Sequence, residues 1–364
     1  MKRLLYIVFT LFCFSCGEST KEVKNSNFDF SYKVDTVMVD AGDGLIFHQI
    51  GLSHSDISKD QKLLYNFTPK SELEVIDLDN LRLNEKIATD KEGTLGTGWP
   101  YAIQIDQAGN LVFYGVEEVR IFNSNLSSMN RFQLSPEALS GLEPEVISMF
   151  NPKIINGKFL YSIYENNEQV PQGLAIVSLE EKTVKKIPLD LADRIKPYTY
   201  SLQSNSKGHE PINLELIDNN LIISTAYANE AILLDLESET VSLKTFHSEL
   251  TGDKKKIPAR TSAETINELE DLMKEGKKSV TFGRFYFDTI NQKFFRFSMD
   301  LEKVIGDSLV FKNVLTVFDQ ELNQLAETEV PVDTFSKKFF KDGKLWSYVN
   351  VEDELGFAVF TFDF

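Results

Sequence analysis

The 364-residue sequence has almost no cysteine: Cys13 and Cys16 are its only two. From residue 17 onward this excludes a disulfide framework, a thiol nucleophile and a Cys-ligated metal centre. Basic residues are also scarce. Against 55 Asp and Glu stand 38 Lys and Arg, giving a formal net charge of −17. So acidic a surface repels phosphate backbones, which argues against nucleic acid as a partner. Histidine is limited to His48, His54, His209 and His247, none of them in HExxH or another metal-ligand spacing. A GxSxG elbow, a phosphate-cradling glycine loop and an EF-hand loop are all missing. What is present is ordinary for a folded chain, with 42% hydrophobic and 26% charged residues. Aromatic residues are plentiful, and 28 Phe and 12 Tyr favour strands over helices.

The beginning of the chain has its own composition. Lys2 and Arg3 precede "LLYIVFTLFCF", an apolar run too short to span a bilayer comfortably. It ends at "CFSC", and polar "GESTKEVKNSN" follows. Ser15, Cys16 and Gly17 resemble a bacterial lipoprotein signal in which Cys16 becomes the lipidated first residue. Cys13 and Phe14 depart from the usual pattern, in the manner of the looser signals of Bacteroidota. The expectation is a signal peptide over 1–15, a lipid on Cys16 and a flexible tether over 16–27, with the protein anchored in the outer membrane of the cell envelope. An ordinary cleaved signal and a membrane-anchoring helix are the alternatives.

Beyond the tether one phrase recurs: a turn of Asp, Asn, Gly, Gln or Lys, then a strand opening on Leu or Phe. It occurs as "KDQKLLYNF", "DQAGNLVFYG", "INGKFLYSIY", "DNNLIISTAY", "NQKFFRFSM" and "KDGKLWSYV". The opening residues are Leu63, Leu111, Phe159, Leu221, Phe294 and Leu345, spaced by 48, 48, 62, 73 and 51. The two long intervals carry insertions, so the period is near fifty. Such turns suit hairpins, because Asn, Asp and Gly tolerate positive φ. An apolar third strand ("LEVIDLDN", "EVRIFNSN", "LAIVSLEE", "AILLDLES") and a fourth follow in most units. A four-stranded antiparallel unit repeated six times at this period predicts an all-β, six-bladed β-propeller over 28–364. A β-sandwich with a second domain is the other arrangement, but the repeat leaves no boundary for one.

The last unit ends on its third strand, "GFAVFTFDF". An extra strand, "FDFSYKVDTVMVD", precedes the first unit. Pairing the two completes the last blade from both ends of the chain. In the second unit Pro100, Ile103, Ile105, Asp106, Gly109, Asn110, Leu111, Val119, Arg120 and Phe122 resemble an NHL-type propeller repeat. As a whole the chain is similar to six-bladed propeller lipoproteins of Bacteroidota with NHL- or TolB-like repeats, a resemblance that implies fold and address but no reaction.

Two insertions interrupt the repeat. Residues 248–282, between the fourth and fifth units, contain "TSAETINELEDLMKEGKK", with Thr261 and Glu264 as a capping box and Ile266, Leu269, Leu272 and Met273 as an apolar stripe. This predicts a helix that packs on the body, docks a partner or covers the channel. The preceding "GDKKKIPAR" is a local basic patch, and residues 190–211 present Tyr198 and Tyr200.

Propeller sites gather where innermost strands begin. X-Pro pairs mark three such places, Trp99-Pro100, Asn151-Pro152 and Glu210-Pro211. With neighbouring residues they give the ligand-binding candidates His54, Trp99, Tyr101, Asn151, His209, Glu210 and Arg284. Proline at these positions is equally explained as structural punctuation. Two function classes remain. One is a binding or scaffolding lipoprotein for a protein, peptide or glycan. The other is a propeller enzyme, a metal-dependent hydrolase or lyase, whose carboxylates and amides converge on a hard ion. The sequence names no cofactor and no metal ligand.

Overall fold

The recurring turn has a single physical cause. In the computed structural model Gln61, Gly109, Gly157, Gln292 and Gly343 all have positive φ. Each lies two residues before the apolar residue that opens a second strand. The left-handed position lets the chain reverse tightly, and Asx bonds brace it: Asp106 Oδ1 accepts from the Ala108 and Asn110 amides at 2.8 and 2.9 Å.

The structure describes residues 22–24 and 28–364, except 149, 150, 156, 204, 205 and 218. The expected signal peptide and the lipid site at Cys16 lie outside the described residues. Six sheets of antiparallel strands follow one another along the chain. The first comprises Ser55–Ile57, Leu63–Phe67, Glu72–Asp77 and Arg82–Ala88. The second comprises Ala102–Ile105, Leu111–Gly115, Glu118–Phe122 and Met129–Gln133. The third runs Lys153–Ile155, Phe159–Glu165, Pro171–Ser178 and Thr183–Pro188, with the short Val146–Ile147 beside its second strand. The fourth is Asn213–Ile217, Asn220–Ser224, Glu230–Asp235 and Val241–Thr245. The fifth is Thr281–Asp288, Lys293–Ile305, Ser308–Phe318 and Gln324–Val330.

The sixth sheet takes Lys338–Lys341, Lys344–Val351 and Glu354–Asp363 from the end of the chain, and its fourth strand, Ser31–Met38, from the start. Eight residue pairs join them, from Ser31 opposite Asp363 to Met38 opposite Gly356. Glu22–Lys24, inside the segment expected to be a tether, pairs antiparallel with Ala326–Thr328 on the edge of the fifth sheet.

Six apolar clusters hold the sheets together, each between two of them. Phe67, Leu73, Phe113 and Phe122 join the first and second sheets. Val112, Tyr114, Leu160 and Val177 join the second and third, and Leu174, Ile187, Leu214 and Leu234 the third and fourth. Ile222, Ala231, Phe285 and Phe318 join the fourth and fifth; Phe295, Leu315, Leu345 and Phe360 the fifth and sixth. The last cluster, with Leu64, Ile76, Trp346 and Phe357, lies between the sixth sheet and the first. Both faces of every sheet are therefore buried, which is why the third strands are apolar on both sides.

The two insertions form one unit. Tyr200–Leu202 pairs antiparallel with Ser206–Gly208 and parallel with Ser262–Ala263, making a small three-stranded sheet from both. The helix spans Ile266–Gly276. Its cap is not the expected Thr261 and Glu264 but the same motif four residues on. Thr265 Oγ1 accepts from the Glu268 amide at 3.2 Å, and Glu268 Oε2 accepts from the Glu264 amide at 3.1 Å. Gly276 is held by close approach: a Cβ there would lie 2.5 Å from the Tyr200 hydroxyl. Within the expected stripe Leu269 and Leu272 are half-buried, whereas Ile266 and Met273 are exposed. Tyr198 is core, stacked on Tyr227 at 4.4 Å between ring centres.

Candidate functional site

The first strand of each sheet is mostly apolar but carries a polar residue: "SDI", "AIQI", "KII", "NLELI" and "TFGRF" supply Asp56, Gln104, Lys153, Glu215 and Arg284. Lys337 stands just before the first strand of the sixth sheet. All of these side chains but Lys153, together with Asn151, join one first strand to the next. Asp56 Oδ2 accepts from the Ile105 amide at 2.9 Å, linking the first and second sheets. The Gln104 amide bonds both backbone groups of Ile154, at 3.1 and 3.0 Å, linking the second and third. Asn151 Nδ2 donates to the Ile212 carbonyl and to Asn213 Oδ1, both at 3.2 Å, linking the third and fourth. Arg284 pairs with Glu215 through Nε at 2.5 Å and through Nη2, linking the fourth and fifth. Lys337 Nζ donates to the Ser55 carbonyl at 2.5 Å and stands 3.6 Å from Asp56 Oδ1, linking the sixth to the first.

The first strands thus converge on a common centre holding Asp56, Lys153, Glu215, Arg284 and Lys337 within electrostatic reach of one another. Side-chain exposures of 31% for Arg284 and 20% for Glu215 leave both groups partly open to solvent. Burial pushes the Lys153 and Lys337 ammonium groups below their ordinary values, against the pull of Glu215 and Asp56. At Arg284 burial acts the same way, but the Glu215 carboxylate outweighs it and the guanidinium is held above its ordinary value. Burial also raises the Tyr286 phenol to about 12.

Two cavities meet at Arg284. The larger, about 640 Å³, is lined by Arg284, Tyr286, Phe335, Lys337 and Lys338 together with residues 50, 51, 53 and 348–350. The smaller, about 160 Å³, adds Glu210, Pro211 and Asn213. Lys338 fixes the loop between them. Its ammonium donates to the Asp333, Thr334 and Ser336 carbonyls at 2.5, 3.2 and 3.2 Å. Burial drives its pKa down to about 7.

The sequence candidates separate into three groups. Arg284 and Glu210 line the same cavity, and Asn151 touches its Asn213. Glu210 is bonded by Lys255, one lysine of the basic patch, which is buried and also donates to Thr281 Oγ1 at 3.2 Å. His209 and His54 flank this centre without lining it. His209 Nδ1 donates to the Glu210 carbonyl at 2.8 Å, and Nε2 lies 3.7 Å from Glu165. Burial lowers the His209 pKa, but Glu165 and the carbonyl outweigh it, so the net shift is upward. His54 precedes Ser55 and Asp56 in the chain and is pushed down by burial.

Trp99 and Tyr101 lie elsewhere. Trp99 is exposed with Lys91 Nζ 3.6 Å above its ring. Tyr101 packs on the cluster between the second and third sheets. Sequence reasoning missed Asp56, Gln104, Lys153, Glu215, Tyr286 and Lys337. The signal was a polar residue inside each apolar first strand, overlooked because attention went to the X-Pro junctions.

The fold and centre define an all-β protein of successive four-stranded antiparallel sheets with charged side chains where their first strands meet. The chain belongs to the family described as "Domain of unknown function (DUF4221)", which it matches over residues 27–329. A crystal structure of a DUF4221 member from Bacteroides vulgatus is similar over 94% of this chain and 98% of that one, with a TM-score of 0.69 at 14% identity. A "Putative exported protein" from Bacteroides fragilis is similar over 91% and 95%, with a TM-score of 0.53 at 7% identity. At these identities the likeness is one of fold. No curated protein matches the sequence. No helix among the described residues is long and apolar enough to cross a membrane.

Proposed function

We propose that the chain is a six-bladed β-propeller lipoprotein, anchored through Cys16 in the outer membrane of the cell envelope, that binds a peptide, protein or glycan at the channel mouth around Arg284. The cycle of six clusters and the pairing of Ser31–Met38 with Glu354–Asp363 support the propeller with its last blade closed from both ends. The "CFSC" signal supports the anchor.

One observation carries the binding reading. Arg284, Tyr286 and Lys337 share a cavity of about 640 Å³ where the inner strands converge, a volume suited to a small ligand or a chain end. A metal-dependent hydrolase or lyase, the second reading, needs carboxylates free to ligate. Asp56 and Glu215 are already bonded to Ile105 and Arg284, so the mouth suits binding better.

The test is a panel of envelope glycans and short peptides read by thermal shift, with Arg284→Ala alongside. A ligand that stabilises the parent and loses at least tenfold in affinity with Arg284→Ala supports the reading; one bound equally by both removes the mouth as the site. Cys16→Ser releases the protein from membranes if the anchor is right, and unchanged fractionation rules it out.

A further inference from the structure

We infer that the channel mouth takes a carboxylate, a ligand group of single negative charge seated among Lys153, Arg284 and Lys337. The inference rests on the mouth being a binding site and specifies what it binds. Five charged side chains meet there, three cations and two carboxylates. Glu215 is engaged by Arg284. Asp56 is shared between the Ile105 amide and Lys337. The half-buried Lys153 has no side-chain ion pair or hydrogen bond among the described residues, and Arg284 Nη1 has no partner among them either.

The fully buried cations are all satisfied. Lys255 holds Glu210 and Thr281, and Lys341 holds Asp79 at 2.5 Å. Lys338 donates to three carbonyls. Arg296 donates to Gly283, Thr225, Ala228 and Glu230 carbonyls and to Asn229 Oδ1. Lys153, only half-buried, has no such partner.

Burial disfavours the Lys153 charge; Glu215 and Asp56 attract it from a distance without cancelling that cost, and no described group bonds the ammonium. A bound anion offsets that cost. The excess is one positive charge, which a carboxylate matches; a phosphate carries about −1.5 to −2 at neutral pH and overcompensates it. Arg284 Nη1 and Lys153 Nζ supply donors for the two oxygens. Tyr286 and Phe335, the latter 54% exposed, line the cavity of Arg284 and Lys337 and offer apolar surface for the rest of the ligand.

Carboxylates reach such a site on a uronic acid or on a peptide C-terminus, and the test separates the two. The full chain is titrated calorimetrically with glucuronate against glucose, and with N-acetyl-dialanine against its C-terminal amide, with inorganic phosphate as a further probe. The expected result is binding of at least one carboxylate about tenfold or more tighter than its neutral counterpart, as removal of a charge-assisted bond implies. Whichever pair shows it identifies the source. Lys153→Met is expected to abolish the preference while the ligand-free protein melts at or above the parent temperature. Lys153→Gln serves as the second variant.

Neutral ligands binding as tightly, phosphate binding more tightly, a retained preference, or a lower melting temperature in both variants each overturns the inference. If neutral ligands bind and Arg284→Ala removes them, the mouth stands and the carboxylate fails. If neither probe pair nor phosphate binds and no ligand of the wider panel depends on Arg284, both fail.

Discussion

Phe360 tests whether the pairing of the chain's two ends holds the whole protein together. The residue is fully buried between the fifth and sixth sheets. It faces Val34 on one ladder and Leu345 on the other, with the Tyr32 ring centre 5.5 Å away. Truncating such a ring to alanine costs about 3–5 kcal/mol, a large part of the roughly 5–15 kcal/mol that keeps a domain folded. Phe360→Ala should therefore fold but unfold at clearly lower urea. Deleting 357–364 goes further. It removes Phe357, Val359 and Phe360 from two clusters and most of the ladder that holds Ser31–Met38. Two buried Phe alone amount to about 6–10 kcal/mol, so the truncated chain should show no cooperative transition. Trp346 reports the event, being buried with its ring centre 5.7 Å from Phe357. Far-UV circular dichroism and tryptophan emission on one urea series give the readout. A truncated protein that melts with the parent, its Trp346 emission unshifted, would refute the reasoning.

Other outcomes follow from single residues. Arg296→Met leaves four carbonyls and Asn229 without their donor between the fourth and fifth sheets. It should cost at least about 1–3 kcal/mol in urea unfolding, the penalty for a buried acceptor left unsatisfied, and a loss below about 1 kcal/mol would contradict this. Thr265→Ala removes the helix cap. About 1 kcal/mol of local stability should go, seen as faster amide exchange over 266–276 with little change in global melting. His209 has a folded pKa above its unfolded value. Its contribution is fully present below about pH 6.5 and is lost as pH rises through the folded pKa; His209→Gln should flatten stability over that window. Lys338 behaves oppositely. Its folded pKa is about 7 against an ordinary 10.5, so the unfolded chain binds more protons in between and stability rises with pH over that interval. Lys338→Met should remove that slope, as paired urea titrations at pH 7 and 9 would reveal.

The strand pattern was legible because it rests on local chemistry: a left-handed residue two places before each opening apolar residue marks five of the six hairpins. The apolar third strands were legible for a related reason, since both faces of each sheet are buried. The helix was readable but its start was not. "TSAETINE" contains two consecutive capping boxes, and the pairing of Ser262–Ala263 with Ser201–Leu202, which no local rule signals, takes the first out of the helix. Nothing local signals that residues 200–208 and 262–263 share a sheet. At the centre, Arg284 and Glu210 were within reach of sequence reasoning, but Lys153 was not. A short strand such as "KII" reads as amphipathic whether its lysine meets water or a channel, and only the convergence of the other first strands distinguishes the two. Trp99 and Tyr101 were drawn in by the neighbouring proline, which shapes the backbone there without bringing them to Arg284.

Ser31 pairs with Asp363, 332 positions later. Bringing such distant segments together costs about 4 kcal/mol more loop-closure entropy than a tight hairpin does. The other five sheets are built from neighbouring hairpins and can form in the order in which the chain emerges during synthesis. Ser31–Met38 emerges before any of them and must wait for Glu354–Asp363. Until then the protein carries an unpaired strand at one end and an uncovered face on its first sheet, the features that promote edge-to-edge aggregation. A chain with five sheets formed and Glu354–Asp363 not yet in place therefore exposes both features, and the eight pairs of that ladder remove them together.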